Sequence, residues 1–426
     1  MSLRSDDCDP GAAPRDSADL PGLPPSADAR CPFGPAPEYA TLRAKHPVSK
    51  VRCPTGITAW LVTRYDDVRE VLGDAQRFSS RPGQAAHVLA HMNPDRPIGE
   101  GEFTRMDGEE YQRFRHHLGP EISSPAALAK LRPLMQRAVD ERLDELSGAA
   151  LPVDFYGRFA IPVTTAVIGG LLGVPYTDRA LFHEAAAGMF GSRTTEQDMA
   201  LAARPLFGYV RELLQSRRAE PGDDAVSRMI MRSEQAARPF SEVELMMMVA
   251  GLLISGFDTT ATTMTHGLLA LFEQPGALDA LRAQPSLIPD AVEELTRRLG
   301  GAAGLTRQAT MDTEIGDQAV HAGDFIVLAV QAADHDEEVF PEPDLLDITR
   351  RSAGHLGFGH GAHQCIGRQI ARLELAVAFE TLLRRIPSLR LAAPLSRIPF
   401  KEGTPVVGPA ELPVAWDAIL PAGEPR

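Results

Sequence analysis

The sequence predicts a mainly α-helical protein with small β-sheets, an α+β fold built as one continuous domain. Three observations carry this. Apolar residues recur at helical spacing through most of the chain, as in Ser124 to Leu146, where the pattern stops at Gly148. One helical signal near the centre is long enough to cross a whole domain. Strand-like stretches are few and short, and no Pro/Ser/Gly linker or internal repeat divides the chain beyond its first residues.

The elements follow in order. Residues 1–30, rich in Pro, Ala, Asp and Ser, read as a flexible tail, and 31–426 as the domain. A strand fits Ala59–Thr63. Helices are expected at Ser124–Leu146, then at 154–172, 178–190 and 196–218. The central helix opens at Ser241-Glu242-Val243-Glu244, a capping box, with Phe240 and Leu245 placed as its hydrophobic staple. It runs to about Glu273, before Pro275, and would span roughly 48 Å. Its middle carries Gly256-Phe257-Asp258-Thr259-Thr260, poor helix formers in mid-core. That break marks either a functional site or a bend whose hydroxyls bond back to the backbone. A helix at Pro289–Arg298 places Glu294 and Arg297 at i, i+3, in reach of an ion pair. Strands fit Glu314–Val320 and Phe325–Ala329, and a last helix 366–386.

Composition excludes several classes. With 43 Lys+Arg against 57 Asp+Glu the formal charge is −14, which disfavours a broad nucleic-acid-binding surface. The four cysteines, Cys8, Cys31, Cys53 and Cys365, contain no CxxC pair, so neither a disulfide framework nor a four-thiolate metal site is expected. The start of the chain shows no signal peptide, and the longest apolar run, Leu245 to Ile254, is far short of the ~20 residues of a membrane span. These features predict a cytoplasmic protein.

The most informative segment is His355-Leu356-Gly357-Phe358-Gly359-His360-Gly361-Ala362-His363-Gln364-Cys365-Ile366-Gly367-Arg368. Closely spaced glycines indicate tight turns or close backbone approach. Helical periodicity resumes after Cys365, which places the thiol near a helix N-terminus, where a thiolate is stabilised. On these residues alone Cys365 is a buried small hydrophobe, a nucleophile with His360 or His363 as base, or a zinc ligand with both histidines; no fourth ligand lies nearby.

Phe358-Gly359-x-Gly361-x-His363-x-Cys365-x-Gly367 resembles the haem-ligand signature of the cytochrome P-450 haem-thiolate monooxygenases. Three further segments agree in order: Ser255-Gly256-Phe257-Asp258-Thr259-Thr260 resembles the oxygen-activating groove of the central helix, Glu294-x-x-Arg297 the core Glu/Arg pair, and Phe340-Pro341-Glu342-Pro343-Asp344 the meander before the cysteine loop. The resemblance covers roughly residues 31 to 416 and points to the soluble bacterial branch. It implies a single triangular-prism domain with haem b between the central helix and the cysteine-ligand helix.

Further roles follow from the resemblance. Cys365 is the axial thiolate, with Phe358, Gly359 and Gly367 shaping its surroundings. Gly256 leaves room for O2, Thr259 is the alcohol of proton delivery and Asp258 its acid, and Ser255 stands where the family often has Ala. Arg115, Arg307 and His355 hold the haem propionates, together with Tyr111, which replaces the usual His four residues before the Arg. Glu294 and Arg297 are structural. Partners are O2, a hydrophobic small-molecule substrate, and a ferredoxin with its reductase, docking on a basic patch of Arg113, His117 and Arg368; the enzyme is expected to be monomeric. Substrate contacts are expected from 80–104, 173–195, Val249–Leu253, Gly300–Leu305 and Thr404–Val406. The all-small run Gly300–Gly304 reads as open volume for a bulky substrate or as a flexible turn. The rival functions are a tailoring oxidase that couples or desaturates without retaining oxygen, and a haem-binding sensor or carrier.

Overall fold

A computed structural model of the chain describes residues 20–25, 32–81, 97–175, 178, 196–300, 305–401 and 406–423. The helix expected at 178–190 lies outside the described residues apart from Asp178, as do most of the expected flexible tail and the larger part of the expected substrate segments.

Helices dominate. They are α1 (Glu38–Lys45), α2 (Tyr65–Gly73), α3 (Gly108–Ile122), α4 (Pro125–Leu146), α5 (Ile161–Leu172), α6 (Glu196–Ala219), α7 (Ala225–Glu234), α8 (Glu242–Phe272), α9 (Pro275–Ala283), α10 (Ile288–Leu299), α11 (Val330–Ala333) and α12 (Arg368–Arg385). The strands are β1 (Val48–Arg52), β2 (Thr58–Val62), β3 (Phe78–Ser79), β4 (Val153–Asp154), β5 (Leu305–Ala309), β6 (Thr313–Ile315), β7 (Gln318–Val320), β8 (Phe325–Leu328), β9 (Arg390–Leu391) and β10 (Pro413–Ala415). They form a five-stranded sheet ordered β1-β2-β8-β5-β3, a three-stranded sheet β4-β10-β9 and the hairpin β6-β7.

Sequence signals explain the best-placed boundaries. Ser124 caps α4 by accepting from the Ala127 N–H. Ser241 caps α8 in a complete capping box with Glu244. Phe240 and Leu245 are both buried in the main core. Pro275 then starts α9 rather than extending α8. Two expectations need correction. The strand expected at Glu314–Val320 is a hairpin, because Gly316 takes φ +55° and turns the chain so that Ile315 faces Gln318. The helix expected from 154 starts later, because Val153 and Asp154 pair with β10 and a π-helical turn, Tyr156–Ala160, leads into α5.

The 31-residue α8 crosses the core, packed with α5, α6 and α10. By length and composition it could cross a membrane, yet 67% of its most apolar window is buried inside the fold.

On α12, Glu374 is 2% exposed and its Oε1 meets no hydrogen-bond donor among the described residues. Burial pushes its pKa up to about 8. An acid whose folded pKa lies above its unfolded value of ~4.3 favours folding below that pH. The contribution is lost as pH rises from ~4.3 toward 8. Glu374→Gln is therefore expected to match the parent's stability near pH 4.5 and exceed it at pH 8 by several kcal/mol. Overlaid denaturation curves at both pH values would show that Glu374 is satisfied by its surroundings.

Candidate active site

The loop from Leu356 to Cys365 is held by its own backbone. The Gly359 N–H donates to the Leu356 carbonyl (2.6 Å) and the Cys365 N–H to the Phe358 carbonyl (2.8 Å). Gly361 is required twice: its φ is +71°, and a Cβ there would lie 2.6 Å from the Leu72 carbonyl at the end of α2. The Cys365 side chain is open to solvent although protein walls it closely, the situation of a thiol at the floor of a cleft. Here the structure departs from expectation. α12 begins only at Arg368, and desolvation by the walls raises the thiol's pKa against the opposing Gly367 N–H, Arg368 and Arg115. The helix dipole alone does not make this thiol a thiolate; a bound metal ion would.

The middle of α8 presents a polar face. Ser255 and Thr259 are exposed, and Gly251 and Thr263 half-buried, one turn apart on a helix whose flanking residues are mostly buried. Each hydroxyl bonds back four residues: Ser255 Oγ to the Gly251 carbonyl (2.6 Å), Thr259 Oγ1 to that of Ser255 (2.6 Å) and Thr263 Oγ1 to that of Thr259 (2.9 Å). This is the back-bonding the sequence allowed, and it coexists with exposure of the same alcohols. Thr260 points into the core at 7% exposure. Gly256 does not face the cleft. A Cβ there would meet Ile168 of α5 at 2.9 Å, so this glycine serves close helix packing, and the residue one turn before Thr259 on the open face is Ser255. Of the expected substrate-contact residues, Val249, Leu252 and Leu253 are buried in the core. Phe103 comes within 3.9 Å of a Cβ built at Gly251 and stacks on Phe114 at 5.3 Å.

Asp258, beside Thr259, is engaged. Its Oδ1 accepts from Tyr156 Oη and from Lys401 Nζ (2.7 Å), neither of which the sequence suggested.

The expected propionate donors separate into two groups. Arg115 Nη1 donates to Tyr111 Oη (3.1 Å) and to the Gln364 carbonyl (2.7 Å), next to Cys365. The Tyr111 ring stacks on His363 at 3.9 Å between centroids, and His363 Nε2 lies 3.2 Å from Asp107 Oδ1. Asp107 also accepts from Ser79 Oγ (2.5 Å) and the Ser80 N–H (3.1 Å). Arg307 is 7% exposed, donates to the Thr306 carbonyl (2.8 Å), and meets no carboxylate within ion-pair distance among the described residues. Burial pushes its guanidinium down to about 10, against the opposing charge of Asp107. A buried cation lacking a counter-ion needs an anion.

His355 is elsewhere. It is buried, its Nδ1 accepts from the Gly357 N–H (3.0 Å), and its Nε2 lies 3.4 Å from Glu293 Oε2 without hydrogen-bond alignment. Arg372 holds Glu293 by two bonds (2.6 and 2.8 Å) and covers the Phe358 ring at 4.7 Å. His363 takes the place expected for His355, because the turn after Gly361 aims it at Tyr111. Its signal is its position two residues before Cys365, within the segment that resembles the haem-ligand signature. No set of three metal-ligating side chains occurs among the described residues, so the zinc reading has no support there.

The expected basic patch is not one. Arg113 lies 3.8 Å over the Phe240 ring and pairs with Glu110 (3.2 Å) and with Glu244 of the α8 capping box. His117 is 5% exposed, and burial pushes its pKa down to about 4, so it is neutral at pH 7. Arg368 is partly exposed, as Arg113 is, and is bonded to the Cys365 carbonyl (3.1 Å).

Comparison with known proteins gives consistent matches. The family model described as Cytochrome P450 matches residues 192–286 and 286–387. Cytochrome P450-SU2 of Streptomyces griseolus is 37% identical over 92% of this chain and 96% of its own length. Mycinamicin IV hydroxylase/epoxidase of Micromonospora griseorubida is 37% identical over 89% of this chain and 95% of its own. The crystal structure of CYP105P1 in complex with filipin I superposes with a TM-score of 0.88 at 39% identity, covering 94% of this chain and all of that one.

Proposed function

The chain belongs to the cytochrome P450 family, and on that premise we propose that it oxidises a bulky, lipophilic natural product with electrons from a ferredoxin and its reductase, working as a cytoplasmic monomer. The activity is that of a haem-thiolate monooxygenase, with Cys365 as the axial ligand. The observation that carries the reading is the open thiol of Cys365 on a loop built by close glycine contacts. Support for the substrate class comes from the relatives: one is named for hydroxylating and epoxidising mycinamicin IV, and a neighbouring structure holds filipin I.

The residues present fit haem. The described residues offer an exposed thiol, an exposed polar face on α8, and the buried Arg307, which meets no carboxylate within ion-pair distance among them, with Arg115, Tyr111 and His363 nearby. In this reading those four hold the propionates, and Asp107 orients His363. His355 is left out of the set and Gly256 is removed from the haem face. When bound, the haem supplies oxygen activation, its thiolate favouring O–O cleavage. The chain contributes positioned protons. Thr259 presents a hydroxyl to the cleft, and Asp258 links that helix face to solvent. Phe358, packed under Arg372, keeps water from the thiolate.

Two measurements test this. Compounds that shift the haem spectrum identify substrates, and incorporation of one labelled atom from 18O2 into product is expected; product without label would favour coupling or desaturation, and no electron-dependent product a sensor. Thr259→Ala should retain haem and substrate binding. It should lower product per electron by about tenfold, ~1.4 kcal/mol, with hydrogen peroxide rising to match. Unchanged coupling would assign the cleft-side proton to another group.

A further inference from the structure

We infer that Lys401 is a positioning residue for Asp258: it pins one carboxylate oxygen so that the other is turned to proton delivery. This rests on the monooxygenase reading.

Lys401 stands 143 residues from Asp258 in sequence. Its backbone is fixed on both sides. Phe400 pairs with Pro409, the Lys401 N–H donates to the Gly408 carbonyl (2.9 Å), and the Ala410 N–H donates to that of Pro399 (2.7 Å). These bridged segments are pressed on α8, since a Cβ at Gly408 would lie 2.4 Å from Thr262 Cγ2. An ammonium has three protons, and Lys401 Nζ has three acceptors: Asp258 Oδ1 (2.7 Å), Thr262 Oγ1 (2.7 Å) and Tyr156 Oη (2.8 Å). Thr262 lies one turn beyond Asp258, so the ammonium bridges two successive turns of the same helix face.

Tyr156 comes from a third place, the π-helical turn after β4, and donates to the same Oδ1. Desolvation and the adjacent Asp258 raise its phenol well above the usual tyrosine range, so it keeps its proton at any working pH. Oδ1 therefore receives two donors, and no described group meets Oδ2. The side chains of Lys401 and Asp258 are 12% and 25% exposed, sheltered enough to hold one geometry and open enough to exchange protons with solvent. A pair that only fastened two elements would not need a phenol on the same oxygen, nor a carboxylate next to the cleft-facing Thr259. The asymmetry suits a carboxylate that passes protons through one oxygen while the other is held.

The test uses the holoenzyme with O2 and reduced ferredoxin as probes and no organic substrate, following peroxide formation (O2 + 2e− + 2H+ → H2O2) in H2O and D2O. Lys401→Met is expected to keep the red-shifted carbon monoxide band, slow peroxide formation about tenfold and raise the solvent isotope effect; Lys401→Arg should restore most of the rate. Asp258→Asn should slow it at least as much, and Asp258→Asn/Lys401→Met no further. Melting of the parent, the two single variants and the double variant gives a cycle independent of turnover, in which the loss from Lys401→Met shrinks when Asp258→Asn is already present. If Lys401→Met fails to fold, Tyr156→Phe should show the same non-additivity with Asp258→Asn. Additive losses, or parental rates in Lys401→Met, would overturn the assignment alone. A parent enzyme without the carbon monoxide band would overturn the monooxygenase reading and this assignment with it.

Discussion

Cys365→His will abolish both the red-shifted Soret band of the reduced carbon monoxide complex and turnover, the latter by more than about 100-fold, or ~2.7 kcal/mol. The fold has little reason to change. Residue 365 is held through its backbone N–H on the Phe358 carbonyl, and its side chain is exposed rather than packed into the core. What changes is the donor. The Cys365 thiol is held above the ordinary cysteine range by desolvation, so it would carry its negative charge only when a haem iron is bound, and would supply that charge as the ligand. A neutral imidazole supplies no such charge. Absorption spectra with haem content measured on the same samples will separate loss of the thiolate from loss of the haem. If the variant retained the band, another thiolate would have to serve. The other described cysteine, Cys53, is buried beside Leu61 and Tyr39, and burial pushes its thiol up to about 11. Retention would therefore overturn the ligand assignment rather than shift it to Cys53.

Local signals were readable in the sequence wherever the physics was local. The capping box of α8, the stop of α8 before Pro275 and the i, i+3 spacing of Glu294 and Arg297 each depend on residues within one turn, and each appears in the structure where expected. The hydroxyl ladder on α8 is also local, and the sequence allowed it without saying which face would be open. Side-chain direction was the first thing lost. Gly256 and Ser255 are adjacent, and only the packing of Ile168 decides that the glycine meets α5 and the serine meets the cleft. Long-range partners were lost entirely. Nothing near Asp258 announces Lys401 or Tyr156, and nothing near Arg113 announces that Glu244 and the Phe240 ring would take it from the surface. His355 and His363 are eight residues apart in one loop; which of them joins Tyr111 and Arg115 is set by the turn at Gly361 against α2, a tertiary contact.

The second large effect lies away from the haem. Arg297→Met is expected to destabilise the protein by about 3–5 kcal/mol, the range for removing one partner of a buried pair. Arg297 and Glu294 are both fully buried, and the guanidinium uses its whole fork: Nε and Nη2 to Glu294 (2.8 and 2.9 Å), Nη1 to the Asp334 carbonyl (2.6 Å) and Nη2 to that of Pro343 (2.8 Å). Arg297→Lys should rescue little, because one ammonium cannot reach acceptors spread over the planar fork. The Glu294 carboxylate would keep Ser352 Oγ (2.6 Å), the Asp347 N–H (3.2 Å) and one cation, Arg350 Nε (3.2 Å), but would lose its fully buried partner and the two bonds that partner makes. Removing both charges in Glu294→Leu/Arg297→Met should recover part of the loss, since neither fully buried ion then remains, and Arg350, which also pairs with Glu294, is the less buried cation. Urea midpoints at constant m-value will measure all four proteins. The damage should also reach the haem, by a path of backbone contacts. Asp334, whose carbonyl binds Arg297, accepts the Leu356 N–H on its own carboxylate (2.7 Å), and the Leu356 carbonyl accepts the Gly359 N–H that shapes the loop to Cys365. Haem loss to an acceptor globin is therefore expected to quicken in Arg297→Met and Arg297→Lys before global unfolding begins. A variant losing less than about 1 kcal/mol and keeping its haem at the parental rate would show that the pair behaves as a surface salt bridge, and that the cysteine loop stands without it.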